Sequence, residues 1–258
     1  MNRRCFSWAL GVLAIVPAIG QVPLRVAAAA DLEPVLPPIL EQFEQATGVH
    51  AVATYQASAV LTIQIQNGAP FDLFLSADLS YPKKLIDAGL ADAAGSPDSS
   101  IPITYAKGTL VLWTRKDSGF HTPSLDLLRS ADLKRLAIAN PERAPYGRAA
   151  IATLRHLKVY DDLKARIVTA ENIAQAAQFV DSGNADAGFI SLTSALTPRL
   201  SADGVYFSIP RDLYPPIEQG MVIVSSTKQR AAAHRLIDYL LSPLVQSELG
   251  ERGLTAAK

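Results

Sequence analysis

The chain has 258 residues, of which 49% are hydrophobic and 19% are charged, with 24 basic and 24 acidic residues. A chain of this length folds as one large domain or as two lobes of ordinary size. The neutral charge balance argues against a nucleic-acid-binding protein, which would present a basic face.

The first twenty residues have the pattern of a secretory signal peptide. Arg3 and Arg4 precede an apolar run at residues 8–19, and a small-x-small pattern ends at Gly20. Such a run is too short to remain as a membrane-spanning helix, and the two arginines leave both Sec and twin-arginine export open. Its removal leaves 22 basic and 24 acidic residues and takes away the only cysteine, Cys5. We therefore expect a soluble periplasmic protein without disulfides.

Residues 24–48 predict the first strand and helix of the mature chain. An apolar run at residues 24–29 is typical of a buried strand, and spaced apolar residues then continue to Gly48. Asp31 is the predicted N-cap of this helix and Gly48 its C-terminal stop. Free N–H groups and partial positive charge make the start of a helix a natural site for an anion. The alternative is an ordinary strand–helix unit with no ligand.

The rest of the chain alternates between short apolar runs and helical segments. Strands are predicted at residues 49–55, 71–75, 101–105, 109–115, 136–139, 166–170, 187–190 and 220–225. Helices are predicted at residues 60–66, 82–88, 124–130, 148–157, 173–180, 228–241 and 244–249, with a short helix opening at Ser191 and a loop at residues 95–100. This order predicts a mostly parallel, doubly wound sheet. The pattern starts again near residue 106 without a linker, which predicts a second lobe, strand crossings between the lobes and a cleft.

Residue patterns for catalysis are scarce. The four histidines are scattered and have no metal-binding spacing. The chain contains neither a G-x-S-x-G motif nor a phosphate-binding G-x-x-x-x-G-K motif. An exported hydrolase, which needs a nucleophile and a base, is therefore disfavoured.

Small or polar residues precede helices at five places in the two halves of the chain. Together they can point several uncharged donors into one cleft, although each alone is more often a simple cap. Neutral dipoles hold an anion without the desolvation cost of a buried ion pair. These junctions are Ala30 with Asp31, Ala57 with Ser58, Tyr146 with Gly147, Asn172 with Ile173, and Ser191.

Motifs along the whole mature chain resemble those of the periplasmic molybdate-binding proteins of ABC importers. In the order of that family they are NGAPFDLFLSAD at residues 67–78, NPERAPYG at 140–147, ENI at 171–173, AGFIS at 187–191 and YPPIEQGMVIV at 214–224. The resemblance implies a type II periplasmic-binding-protein fold, with two doubly wound α/β lobes around a ligand cleft and two strand crossovers. We place one lobe at residues 21–105 with 217–258 and the other at residues 106–216.

The resemblance also implies a ligand, a partner and a site. We expect molybdate or tungstate as the ligand, a membrane permease of an ABC transporter as the partner, a monomer, no enzymatic activity and no cofactor. The metal would enter only as its oxyanion. Most donors would be backbone N–H groups, with the hydroxyl of Ser58 in addition. By position they are Ala30, Asp31, Ser58, Tyr146, Ile173 and Ser191. The alternative is a binding protein of the same fold for another anion, an organic anion or a chelated metal.

One position departs from the pattern of that family. Its members commonly have a serine, or a threonine and an asparagine, where this chain has Ala30 and Asp31. A carboxylate would repel a bound dianion by about 1 kcal/mol or more. Three explanations are open: Asp31 caps the helix, Arg148 neutralises Asp31, or the ligand is not a tetrahedral dianion. We favour the cap.

Overall fold

The protein is described by a computed structural model that covers residues 22–93 and 100–257. The predicted signal peptide and residues 95–99 of the predicted loop lie outside the described residues. The described chain forms two mixed β-sheets, one of seven strands and one of five.

The strands and helices largely follow the predicted order. In chain order the strands are β1 Leu24–Ala29, β2 Ala51–Gln56, β3 Leu73–Ser76, β4 Ala91–Asp92, β5 Ile103–Gly108, β6 Leu110–Arg115, β7 Leu136–Ala139, β8 Ile167–Ala170, β9 Ala187–Ser191, β10 Gly204–Ser208, β11 Ile217–Val224 and β12 Thr255–Ala256. The α-helices are α1 Leu36–Thr47, α2 Ser58–Gln66, α3 Ser80–Asp87, α4 Pro145–His156, α5 Tyr160–Leu163, α6 Ile173–Asp181, α7 Leu192–Ala195, α8 Pro198–Asp203, α9 Arg230–Leu240 and α10 Pro243–Glu251. Short 3₁₀ helices lie at Ala30–Leu32, Leu125–Arg129, Lys164–Arg166 and Arg211–Leu213.

Each sheet has three parallel strands at one side and antiparallel strands at the other. The first sheet has the order β12-β5-β11-β3-β1-β2, with β4 beside β11, and the second has the order β10-β6-β9-β7-β8. The pairs β1–β2, β1–β3, β7–β8 and β7–β9 are parallel, and the other pairs are antiparallel. The sheets are therefore mixed rather than mostly parallel, because strands that join the two sheets enter without the crossover helix that a parallel pair needs.

The chain passes between the sheets twice. It leaves the first sheet at Gly108 and enters the second at Leu110, and it returns through residues 209–216 into β11. We call the first sheet with α1–α3, α9 and α10 lobe I, and the second sheet with α4–α8 lobe II. The sheet of lobe I thus extends to Gly108, beyond the predicted lobe division after residue 105. The exact division stays a prediction.

Helices cover both faces of each sheet. One apolar cluster packs α1, α9 and α10 on sheet I, and another packs α2 and α3 on its other face. Lobe II repeats this plan, with α4 on one face of its sheet and α6 on the other. The cluster under α4 also includes Ala29, Ala57 and Ala77 of lobe I, so the two lobes are closed against each other.

The start of α1 differs from the prediction. Residues Ala30–Leu32 form a 3₁₀ turn without a side-chain cap, and α1 begins only at Leu36. Pro37 and Pro38 fit this first turn, where a missing N–H breaks no helical hydrogen bond. Gly48 ends α1 with a φ of 71°, which confirms the predicted stop.

Candidate functional site

Segments of both lobes meet around one small cavity. Its volume is about 10 Å³, roughly the space that one water-sized group needs. The two lobes therefore lie against each other with little space left between them. The lining residues are Ala29, Ala30, Asp31, Gln56, Ala57, Ser58 and Ala77 from lobe I, and Ala144, Pro145, Tyr146, Asn172 and Ile173 from lobe II. Five of the six predicted site residues, all except Ser191, are among them.

Three helices begin at this cavity. Ser58 is the first residue of α2, Tyr146 the second of α4 and Ile173 the first of α6. Because the first N–H groups of an α-helix have no acceptor within the helix, all three residues offer backbone donors there. Asn172 caps α6 by accepting from the N–H of Gln175 at 2.9 Å, which occupies a different first-turn donor from that of Ile173.

Two glycines allow this close approach. A Cβ atom at position 147 would overlap the backbone oxygen of Ala139, so glycine lets the first turn of α4 lie against the end of β7. A Cβ atom at position 108 would overlap the hydroxyl of Tyr146. Glycine at these positions therefore sets where α4 and the Tyr146 hydroxyl lie.

The Ser58 hydroxyl is buried at the edge of the cavity. Its oxygen accepts a hydrogen bond from the N–H of Ala77 at 3.1 Å. The hydroxyl proton can then be donated to another acceptor, as a ligand-binding serine requires.

Asp31 is completely buried, and its side chain joins the two lobes. Its Oδ2 accepts hydrogen bonds from the Tyr146 hydroxyl at 3.0 Å and from Nε2 of Gln219. Its Oδ1 has no hydrogen-bond partner among the described residues. Burial raises the pKa of Asp31 from 3.8 to about 6, while the hydrogen bonds from Gln219 and Tyr146 act in the opposite direction.

Two of the three explanations for Asp31 are wrong. The side chain does not cap a helix, because the 3₁₀ turn and α1 both lack a side-chain cap. Arg148 does not neutralise Asp31 either: its guanidinium pairs with Asp78 and donates to the Tyr81 hydroxyl at 3.1 Å. Among the residues that the structure describes, the Asp31 carboxyl thus has only neutral hydrogen-bond donors.

Ser191 lies behind the cavity rather than on it. It caps the predicted short helix, now α7, by accepting from the N–H of Ser194 at 3.2 Å. The Thr193 hydroxyl lies 2.9 Å from the Ser191 hydroxyl and donates to the backbone oxygen of Asp31 at 2.7 Å. Ser191 thus supports the turn that carries Asp31, and its contact with a ligand stays a prediction.

Sequence reasoning missed Tyr105 and Gln219. The register between β5 and β11 shifts at Gln219 and Gly220, which leaves Tyr105 as the extra residue of a β-bulge. The Tyr105 hydroxyl donates to Oε1 of Gln219 at 2.7 Å, and both side chains are buried. The available signal was a glutamine followed by glycine at the start of an apolar strand.

Further hydrogen bonds cross between the lobes. The N–H of Ala59 donates to the backbone oxygen of Arg143 at 3.2 Å. The Tyr81 hydroxyl lies 3.5 Å from the backbone oxygen of Glu142. The described residues contain no cluster of histidine, cysteine, aspartate or glutamate suited to a metal ion. Among the same residues, no helix has the length and apolar character needed to cross a bilayer.

Two α/β lobes, joined by two crossovers and closed on a cavity bordered by helix N-termini, define a solute-binding protein of the type II periplasmic-binding fold. Residues 24–255 match the family described as bacterial extracellular solute-binding protein. The chain belongs to this family.

Relatives agree with this assignment. The chain is 39% identical over 243 residues to the molybdate-binding protein ModA of Azotobacter vinelandii, covering 94% of this chain and 93% of that protein. It is 36% identical over 231 residues to the molybdate-binding protein ModA of Rhodobacter capsulatus, covering 90% of this chain and 86% of that protein. The solved structure of the Azotobacter vinelandii periplasmic molybdate-binding protein aligns with a TM-score of 0.84 and 33% identity, covering 91% of this chain and 100% of that chain. The predicted family and fold are confirmed.

Proposed function

We propose that this protein captures molybdate or tungstate in the periplasm and delivers it to the membrane permease of an ABC transporter. The observation that carries the proposal is the closed cavity at which three helices from two lobes begin. The names of the relatives support the choice of ligand, since both are molybdate-binding proteins.

Uncharged donors suit a tetrahedral oxyanion. Backbone N–H groups of Ser58, Tyr146 and Ile173, with the Ser58 hydroxyl, would approach the oxygens of the anion from both lobes. Each hydrogen bond to a charged group contributes about 1.5–3 kcal/mol, so a few of them support tight binding. The metal atom stays inside its oxygen shell, and no residue needs to coordinate it.

Binding without catalysis fits the chemistry of the cavity. The Ser58 hydroxyl is bonded to the backbone N–H of Ala77 rather than to a general base. We therefore infer a transport protein that needs no cofactor and releases its ligand unchanged.

The transport role requires export and a change of shape. The signal-like first twenty residues support a periplasmic location. A ligand shifts the balance between open and closed lobes by its difference in affinity for the two states, and the permease can recognise the closed state. We expect a monomer in solution.

Calorimetric titration with molybdate, tungstate, sulfate and phosphate tests the proposal. We expect a dissociation constant of about 1 μM or lower for the first two anions. Ser58→Ala should weaken molybdate binding by about 10–100-fold, as the loss of one hydrogen bond to a charge predicts. Ser226→Ala, on the exposed surface, is the matched control. Absence of heat from both molybdate and tungstate contradicts the proposal.

A second candidate function follows from Asp31. A carboxylate that lines the cavity and has one oxygen unpaired among the described residues favours a ligand that carries a hydroxyl or amino group, such as an organic anion or a chelated metal. Asp31→Asn separates the two functions: binding of a dianion should stay unchanged or improve at neutral pH, whereas binding of a hydroxyl-bearing ligand should become much weaker.

A further inference from the structure

We propose that Asp31 binds the oxyanion as a neutral carboxylic acid, with the proton on Oδ1 donated to the anion, so that binding takes up one proton. The inference rests on the proposed function, because it concerns the same cavity and the same class of ligand. It makes Asp31 a hydrogen-bond donor rather than a source of repulsion.

The hydrogen-bond network decides which oxygen carries the proton. The Tyr105 hydroxyl donates to Oε1 of Gln219, which orients Nε2 of that amide toward Asp31. Oδ2 therefore accepts from Gln219 and also from the Tyr146 hydroxyl at 3.0 Å. An oxygen that accepts two hydrogen bonds is the carbonyl oxygen of a carboxylic acid, so the proton belongs on Oδ1. Gln219, Tyr105 and Tyr146 act as positioning residues.

Oδ1 is the atom that needs a partner. Asp31 is completely buried, lines the cavity, and has its Oδ1 unpaired among the described residues. A buried carboxylate oxygen without a donor is unfavourable, and beside a dianion it is repelled. A protonated Oδ1 instead finds its acceptor in an oxygen of the anion, and both buried groups are satisfied.

No cation among the described neighbours compensates the charge of Asp31. The titratable groups that interact with Asp31 are Tyr105 from β5 and Tyr146 from α4. The exposed Glu33, two residues along the chain, interacts with Tyr55 from β2. Burial raises the pKa of all three tyrosines, that of Tyr55 to about 12, so they stay neutral near pH 7. The neighbours from α6, α7 and β11, Ile173, Thr193 and Gln219, do not titrate. The raised pKa of Asp31 itself agrees with a carboxyl that is readily protonated here.

A proton taken up on binding links affinity to pH. The free protein carries an ionised Asp31 once the pH exceeds the pKa of this carboxyl, whereas the complex keeps the proton because the dianion disfavours a second negative charge. Affinity should then fall by up to about tenfold for each pH unit above the pKa in the free protein. An asparagine at this position donates the same hydrogen bond through Nδ2 and cannot titrate.

Titration calorimetry with molybdate tests this inference on the mature protein. Experiments at about pH 7.5, in buffers with different ionisation enthalpies, measure the protons exchanged on binding. We expect uptake approaching one proton per anion, and an affinity that falls between about pH 6.5 and pH 8.5. Asp31→Asn should show no uptake and a constant affinity, higher than that of the unchanged protein at the alkaline end. This variant also reports any proton change of the anion itself.

Two further variants serve as a surface control and as a test of Tyr146 as a positioning residue. Asp87→Asn removes an exposed carboxylate on α3 that pairs with Lys83, and it should leave uptake and affinity unchanged. Tyr146→Phe removes one donor from the ionised form of Asp31, so its affinity should begin to fall at a higher pH than in the unchanged protein. A purely structural role of Tyr146 would lower affinity without moving that pH.

The possible results separate this inference from the proposed function. If the unchanged protein binds molybdate without proton uptake, or if Asp31→Asn keeps the same pH dependence, Asp31 does not act as an acid and the inference fails alone. If the unchanged protein binds neither molybdate nor tungstate, the proposed function fails and takes the inference with it.

Discussion

Asp31 is the residue at which the two lobes make their most buried polar contact. Its carboxyl belongs to lobe I, its partner Tyr146 to lobe II, and Gln219 to the strand that returns from lobe II. Neutral donors stabilise the carboxylate only in part, since burial still raises its pKa. Because this carboxyl is costly to ionise, the charge in the cavity depends on pH.

The pKa of Asp31 predicts a pH-dependent stability. Because it rises from 3.8 to about 6 on folding, the native state holds this proton more tightly than the unfolded chain. The contribution of Asp31 to stability is therefore full below about pH 4, falls as the pH rises to about 6, and then stays constant. The loss at neutral pH is about 3 kcal/mol.

Urea unfolding across this pH range checks the prediction. Asp31→Asn should gain stability over the unchanged protein as the pH rises from about 4 to about 6, and should keep that gain above pH 6. Asp87→Asn, at an exposed site, should show no such change. A constant difference between Asp31→Asn and the unchanged protein at all pH values would show that Asp31 has an ordinary pKa.

At the scale of elements, the site depends on where helices begin. α2, α4 and α6 each start at the cavity after a small or polar residue. The strands before α4 and α6, β7 and β8, are parallel and end at the same edge of their sheet. The position of each first turn relative to its sheet fixes the direction of the backbone donors. Glycine at position 147 is the clearest control of such a position, because it allows α4 to contact the end of β7.

Gly147→Ala should therefore displace the first turn of α4. We expect a loss of unfolding free energy of about 1–3 kcal/mol, as in other overpacked sites, together with molybdate binding weakened by more than tenfold. Gly250→Ala is the matched control, since a Cβ atom at this position of α10 meets nothing within 4 Å. It should leave affinity unchanged and raise stability slightly. Unchanged affinity in Gly147→Ala would mean that α4 does not position ligand donors.

At the scale of the whole molecule, closure of the lobes combines buried and exposed contacts. The buried contacts are the bonds of Asp31 and the alanines of lobe I that pack under α4. The exposed contacts include the ion pair of Arg148 with Asp78 at the edge of the interface. Exposed pairs contribute little to a closed state, so the buried contacts should dominate it.

Arg148→Ala tests this balance. Loss of a half-exposed pair should cost less than about 1 kcal/mol of closure, which weakens molybdate binding by less than about fivefold. The difference from the unchanged protein should shrink at high salt, where exposed charges are screened. Arg230→Ala breaks a comparable pair with Asp92 within lobe I and should have no effect. A loss of a hundredfold or more in Arg148→Ala would show that this pair, not the buried network, holds the lobes together.

Local sequence patterns predict the order of most strands and helices, the two lobes and five of the six site residues that were named, which line the cavity. These features depend on near neighbours: apolar periodicity marks strands and helices, and small residues before a helix mark its free donors. The sequence pattern does not predict β4, β10, β12, α5 or α8, and the short helix predicted at residues 124–130 is a 3₁₀ helix at Leu125–Arg129, because short segments carry little periodicity.

The contacts of Asp31 depend on tertiary packing. Its local pattern is that of a helix cap, yet its side chain bonds to Tyr146 and to Gln219, 115 and 188 residues away. Those contacts require closed lobes and a bulge that brings Tyr105 to Gln219. Neighbours in the chain carry no information about such distant partners. Burial among these partners raises the pKa of the Asp31 carboxyl. Whether the cavity holds its anion with a neutral acid or repels it with a charge is therefore decided by packing between the lobes.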